Sequence, residues 1–210
     1  MKEIILIGGG GHCKAVIDVI EQEDHYKIAG IIGTFQLVGS DVLGYKVIGD
    51  DSDIERFSKK YNYALITVGQ IQSPETRIKL FNKVLKSGFS LPSIISPRAY
   101  VSNRAIIGKG TIIMHDALVN SNANVGDNCI INSKALIEHD SIIHNHCHIS
   151  TRATVNGDVT VGEGSFIGSG ATTNNSIVIK NYSFIKAGAF IKWAYLLLLR
   201  PGWIIMVQSN

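Results

Sequence analysis

The sequence predicts a small α/β unit followed by a parallel β-solenoid of hexapeptide repeats, and three observations carry that reading. An aliphatic residue stands at every sixth position from Val101 through Ile107, Ile113, Val119, Val125, Ile131, Ile137, Ile143, Ile149, Val155 and Val161 to Ile167. The series lapses at Thr173 and resumes at Ile179, Ile185 and Ile191. Two residues earlier a small side chain recurs, as at Ala117, Ala123, Cys129, Ala135, Ser141, Cys147 and Ala153, with Val159 and Ile177 as exceptions. Ahead of this array, the first ninety or so residues alternate apolar strand-like runs with helix-like periodicity.

A spacing of six fits neither an α-helix nor a flat strand, but it fits a chain that turns a corner every six residues. In an extended segment, residues two apart share a face, so the aliphatic and the small registers both point inward. Three hexapeptides close one triangular coil, which stacks residues 18 apart: Asn120, Glu138 and Asn156 form one column, and Cys129 and Cys147 another. The second unit spans residues 93–192, and residues 95–192 give about five coils, a prism about 25 Å tall at the ~4.8 Å spacing of paired strands.

Residues 1–92 read as a Rossmann-like unit. Glu3 to Ile7 is a buried strand, followed by Gly8-Gly9-Gly10-Gly11-His12 and a helix from Lys14 to Glu23. A second strand, Ile28 to Ile32, ends in Gly33-Thr34; Asp51 or Ser52 caps a helix running to Tyr61; Ala64 to Val68 is a strand ending at Gly69. Ser73-Pro74-Glu75 opens a helix from Thr76 to Lys86, and Leu91 to Ile95 leads into the solenoid. The glycine run is not a dinucleotide fingerprint. Cys13 occupies the place of its third glycine, and Gly33-Thr34 stands where a ribose-binding acid belongs. What remains is a glycine turn at a helix N-terminus, whose N–H groups can receive a phosphate. His12 beside it reads either as a ligand contact or as an ordinary loop histidine.

Composition narrows the partners. Twenty basic against seventeen acidic residues leave a balance of +3, too mild for a nucleic-acid partner. Three cysteines without a C-x-x-C pair read as structural thiols. The N-terminus runs directly into a strand with no signal-peptide core, which predicts a cytoplasmic protein. The longest apolar stretch, Trp193 to Leu199, is cut off by Arg200-Pro201 and is too short for membrane insertion.

Candidate chemistry lies with the histidines of the solenoid. His139 sits in Ile137-Glu138-His139-Asp140, next to inward Ile137 and flanked by two carboxylates. A neutral imidazole is available as a base near pH 7, and an adjacent carboxylate favours the imidazolium that forms on proton uptake. A solvated surface histidine is the alternative. His144, His146 and His148 alternate and would share a side in a fully extended segment, a metal-ligand pattern. A corner falls inside this stretch and splays them, so no metal ligand is assigned. His148 points outward, half a coil past His139, so a site containing both straddles two subunits.

The strand–glycine–His12 turn, Asn132-Ser133-Lys134-Ala135-Leu136-Ile137-Glu138-His139-Asp140, Cys147-His148-Ile149-Ser150 and Asn156-Gly157-Asp158-Val159 together resemble a known family. They resemble the bacterial nucleotide-sugar acetyltransferases of the left-handed β-helix superfamily, PglD/NeuD type, over residues 1–192. The nearer branch N-acetylates UDP-4-amino-4,6-dideoxy sugars for surface glycan biosynthesis. The resemblance implies a left-handed parallel β-helix, although parallel crossovers are ordinarily right-handed. It also implies a homotrimer, with acetyl-CoA as cosubstrate in a groove between prisms. By position, His139 would be the general base, with Asp140 or Glu138 raising its basicity, and Asn132 would approach the sugar. His148, Ser169 and Ala187 would contact acetyl-CoA. Gly10, Gly11, His12, Gly33, Thr34 and Gly69 would line the nucleotide-sugar pocket. Two departures stand out: Gly33-Thr34 replaces an acidic pair, and the tail 193–210 is atypical, with Arg200-Pro201-Gly202 as a remnant of the usual closing turn. Sialic acid or glycan O-acetylation is the rival activity, and a non-catalytic metal-binding solenoid the rival of another class.

Overall fold

The computed structural model describes residues 1–192 and the backbone of Ile204–Ile205. The N-terminal unit contains β1 (Lys2–Ile7), α1 (Gly11–Glu23), β2 (Tyr26–Gly33), β3 (Asp41–Val42), β4 (Tyr45–Asp50), α2 (Ile54–Ser58), β5 (Tyr63–Ile66) and α3 (Glu75–Lys86). Its sheet order is β3-β4-β2-β1-β5, parallel except for the β3–β4 pair. β1 therefore lies between β2 and β5, and the loops after these three strands meet at the C-terminal edge of the sheet, where α/β folds hold ligands.

Two elements differ from the sequence reading. The helix expected to reach Tyr61 is shorter and is entered by a 3₁₀ turn over Asp51–Asp53. Asp50, rather than Asp51 or Ser52, caps that turn: its carboxylate accepts from the Ser52 N–H at 2.8 Å, and Asp53 reciprocates to the Asp50 N–H. The β3–β4 hairpin was not anticipated. Val47 and Gly49 of β4 add to β2 beside Ile31 and Ile32 and so widen the sheet.

The second unit is a left-handed parallel β-helix with three walls. The first wall begins at Ile94–Ile95 and continues through Ile112–Ile113, Ile130–Ile131, His148–Ile149 and Phe166–Ile167 to Ser183–Ile185. The second runs from Tyr100–Val101 through Leu136–Ile137 to Phe190–Ile191, and the third from Ile106–Ile107 through Ile142–Ile143 to Val178–Ile179. Equivalent residues pair 18 apart, as Leu118 with Leu136 and Ile130 with His148. Of the tail 193–210, only the Ile204–Ile205 backbone is described; it pairs in parallel with Ser183 and Phe184, and the proposed closing-turn remnant lies outside the described residues.

Both inward registers are in place. The aliphatics and the small residues form one continuous core, which also takes in Val159 and Ile177. Thr173 is buried there too, its hydroxyl accepting the Asn156 N–H at 2.9 Å. A third register makes the corners. From Gly110 to Gly188 every sixth residue has a positive φ, including Asp116, Asn122, Asn128, Asp140 and Asp158. Asn, Asp and Gly tolerate the left-handed region best and hold most of these corners, while Lys134, His146, Arg152, Ser176 and Tyr182 hold the others. Ile131 lies at the middle of this core, fully buried. Ile131→Ala leaves a cavity that closed stacked coils cannot collapse around, and it is expected to cost about 2–5 kcal/mol in chemical denaturation.

The units are joined by α1, which packs the sheet on one side and the first wall on the other through Ile94, Ile112, Met114 and Ile130. His115 fixes the junction: its Nε2–H donates to Asp18 Oδ2 at 2.7 Å, and its Nδ1 accepts from the Ser96 hydroxyl at 2.6 Å. Among the described residues no helix is long and apolar enough to cross a membrane.

Candidate active site

The outward column of the first wall explains how the site is built. Its residues are Ile94, Ile112, Ile130, His148, Phe166 and Phe184, one per coil. The three isoleucines are covered by α1. His148 is next in the column, so it lies beside the N-terminus of α1 and the loop after β5.

His148 leaves the wall outward, as the sequence implied, yet it is buried because that loop covers it. Its Nδ1 donates to the Gln70 carbonyl, and its Nε2 lies 3.2 Å from the Asn132 amide. With Nδ1 protonated, Nε2 is an acceptor for the Asn132 N–H₂. Asn132 Oδ1 accepts the Ser133 N–H at 2.8 Å, so the N–H₂ is the end of the amide turned to His148, whose Nε2 sets its direction. Burial lowers the His148 pKa to about 4 against the opposing Gln70 bond, and the Arg77 charge adds to the lowering. The ring is neutral at pH 7.

His12 opens α1 from the opposite side of this seam. Gly10 occupies the N-cap position with no side-chain cap, so the first N–H groups of the helix remain available beside Gly11. The His12 Nε2 is buried with no hydrogen-bond partner. Burial first, then the charges of Arg77 and His148, push its pKa down to about 3. An orphaned imidazole nitrogen aimed into a seam is the kind of group a ligand satisfies. Gly69 lies against it, since a Cβ there would sit 3.5 Å from the His12 Cβ. Gly10, Gly11, His12, Gly69, Asn132 and His148 are thus brought together. Gly33 ends β2 and is buried, its space bounded by Val47 and Leu37, while Thr34 is exposed. Of these two, only Thr34 presents a side chain at the sheet edge.

His139 lies elsewhere. It occupies the edge between the second and third walls, opposite the wall that carries His148. Its side chain is 57 % exposed, and Nδ1 is 2.7 Å from Asp140 Oδ2. This settles which carboxylate partners it: Glu138 instead accepts from the Asn120 amide at 2.7 Å. Asp140 adopts the left-handed corner conformation and is itself held by the Asn122 amide at 2.7 Å. The Asp140 hydrogen bond is the main cause that raises the His139 pKa above its ordinary value; desolvation opposes it, and the charges of Asp140, Glu138 and Asp158 add to the rise. Gly157 on the next coil leaves room for the ring, since a Cβ there would come within 2.9 Å of His139 Nε2.

Ser169 and Ala187 are exposed on the edge between the first and second walls, stacked on successive coils, with Ser169 Oγ 2.9 Å from Ser150 Oγ. On the first wall, toward its other edge at Gly164 and Tyr182, a groove of about 530 Å³ runs between the Ile71–Glu75 segment and the stacked rings of Phe166 and Phe184. Phe166 in turn packs edge-on against His148 at 5.2 Å between ring centroids.

The histidine triplet does not form a metal site. His144 is exposed, His146 packs on Phe81 and bonds Asn128, and His148 faces Gln70. Among the described residues no cluster of three His, Cys, Asp or Glu could hold a metal ion. Cys129 and Cys147 are buried free thiols that donate to the His144 and Gly162 carbonyls at 3.2 and 3.1 Å. Neither is placed to be a nucleophile. Gln70 and Arg77 escaped the sequence reading because their contacts arise only when the two units dock.

Two family descriptions match the chain: the PglD N-terminal domain over residues 3–84, and the bacterial transferase hexapeptide over residues 140–175. No match was found among curated proteins. Among solved structures, the acetyltransferase domain of PglB from Neisseria gonorrhoeae is similar at 28 % identity and TM-score 0.84, over 92 % of this chain and 93 % of that one. The same domain was also solved with acetyl coenzyme A. PerB from Caulobacter crescentus, in complex with CoA and GDP-perosamine, is similar at 28 % identity and TM-score 0.85, over 93 % of both chains.

Proposed function

Since this chain is a nucleotide-sugar acetyltransferase of the hexapeptide-repeat superfamily, we propose that it moves the acetyl group of acetyl-CoA onto the 4-amino group of a nucleotide-linked amino-dideoxy sugar. The observation that carries this is the exposed His139–Asp140 pair, 2.7 Å apart on an open prism edge. With its Nδ1–H directed at Asp140, His139 presents an Nε2 lone pair to an approaching amine. The amine nitrogen attacks the thioester carbonyl, His139 takes the proton that the nitrogen sheds, the C–S bond breaks, and the departing thiolate is protonated by the His139 imidazolium or by water, which returns the base to its neutral form. No acyl-enzyme is required.

Substrate and cosubstrate are held by the opposite wall. The Gly10–Gly11 turn and His12 receive the nucleotide sugar, with Thr34, Gly33 and Gly69 around it and Asn132 on the sugar. His148 stands next to the thioester, and the acetyl-CoA arm follows Ser169 and Ala187 along the edge. A homotrimer completes the site by setting the His139 edge of one prism against the His148 wall of another. Exposed Ile106, Ile142 and Val178 on the third wall, beside the His139 edge, are apolar surface for such packing.

The resemblance to UDP-4-amino-sugar enzymes favours uridine as the base, while the solved PerB complex, which holds GDP-perosamine, favours guanosine. Gly33-Thr34 offers a hydroxyl and backbone groups but no carboxylate to decide between them. Thiol release from acetyl-CoA, measured with UDP- and GDP-linked 4-amino sugars and with CMP-sialic acid, tests the reading. Release is expected with an amino sugar. Release with CMP-sialic acid alone would replace the proposal by O-acetylation.

A further inference from the structure

Arg77 is the least expected residue of the molecule. It projects from α3, is 1 % exposed, and burial lowers its pKa only to about 10, so it is charged at neutral pH. Among the described residues its hydrogen bonds go to no carboxylate. Nη1 donates to the Ile66 and Val68 carbonyls, and Nη2 donates to the Asn128 carbonyl at 3.2 Å and to Asn128 Oδ1 at 2.7 Å. One face of the guanidinium thus holds the end of β5 and the other holds a corner of the prism. A buried charge met only by neutral dipoles, with its Nε–H left without a partner, is costly, and an apolar side chain would serve packing alone better.

The bonds lead onward to the site. The residues after Val68 are Gly69 and Gln70, and the Gln70 carbonyl takes the Nδ1–H of His148. The Gln70 amide reaches the His146 carbonyl at 3.1 Å and the Gly164 carbonyl at 3.4 Å. The Asn128 amide meets His146 Nδ1 at 3.0 Å, so the same corner is gripped twice. His148 Nε2 then orients Asn132. We infer that Arg77 is a positioning residue of the acetyl transfer, which through the Val68–Gln70 segment holds His148 in its Nδ1–H tautomer and thereby aims the Asn132 amide. The assignment of His148 and Asn132 to the reacting site rests on the function proposed above, whereas the tautomer does not.

The charged or titratable groups that act on His148 are Arg77 from α3 and His12 from α1. Lysine keeps the charge but presents a single ammonium that cannot grip both sides of the seam. The test uses full-length protein with ¹⁵N-labelled histidine, following the ring nitrogens of His148 by long-range ¹H–¹⁵N correlation, alongside steady-state kinetics. Wild type is expected to show protonated Nδ1 and bare Nε2. Arg77→Lys is expected to show mixed tautomers and a fall in kcat of about 10- to 100-fold, with KM changed much less, as for a displaced reacting group. Asn128→Ala, which leaves the β5 carbonyls and the Asn128 backbone carbonyl bonded but removes the side-chain bonds to Arg77 Nη2 and His146, is expected to give the same tautomer mixing to a smaller degree and serves where the Arg77 variant does not fold. An unchanged His148 pattern in a folded variant of either kind overturns the inference. Mixed tautomers in a protein whose wild type transfers no acetyl group would uphold the device and reject the proposed reaction.

Discussion

His139→Ala is expected to lower kcat/KM by about 10²–10⁴-fold, the usual worth of a positioned proton acceptor. The chain should remain folded, because the side chain is more than half exposed and contributes no core packing. Residual turnover is expected, since holding amine and thioester together contributes independently of the base. The acid limb of the pH profile gives a second reading. A base works only when neutral, and the Asp140 bond raises the His139 pKa above its ordinary value. kcat/KM therefore falls as pH drops through that raised value, and the limb lies above the ~6.5 of a free imidazole. Asp140→Asn removes the carboxylate that favours the imidazolium, so the limb moves to lower pH while the plateau falls. A profile that stays put in Asp140→Asn, or an alanine variant with full turnover, removes His139 from the chemistry.

The same residues show what the sequence could convey. A period of six is a statement about backbone repetition, so the three walls, both inward registers and the outward direction of His148 were all legible from local spacing. So was the flank of carboxylates around His139. The choice between them was not, because it turns on the left-handed φ of Asp140 and on Asn122 and Asn120 from the preceding coil, which occupy Asp140 and Glu138 respectively. The burial of His148 depends on a docking event. Nothing around Cys147-His148-Ile149 reports that Gln70, seventy-eight positions away, covers the ring. Nothing in the sequence marks Arg77 apart from the other basic residues of its helix, and its burial is decided by the seam that α3 faces. The β3–β4 hairpin escaped for a different reason. Residues 34–50 carry only isolated apolar pairs between Gly, Ser and Asp, and their strand character comes from pairing with β2.

Mixing two inactive variants, His139→Ala and Asn132→Ala, is expected to restore activity. In one chain His139 stands on an edge and Asn132 and His148 belong to the wall facing away from it, with the packed interior of the prism between them. No side-chain rotation closes that separation, so a reaction that uses both must draw them from two protomers. In a homotrimer each of the three sites then takes its base from one copy and its sugar-binding wall from a neighbour. If subunits are unfolded together and refolded at equal amounts, a given site receives intact His139 from one side and intact Asn132 from the other with a chance of one half each, so about a quarter of wild-type activity should return from parents that have almost none. Refolding each variant alone should return nothing. A mixture as inactive as its parents would overturn the shared site, and an active His139→Ala parent would mean that His139 takes no part. Because the gain appears against a background near zero, the experiment separates a shared site from a merely weakened one more sharply than any single substitution.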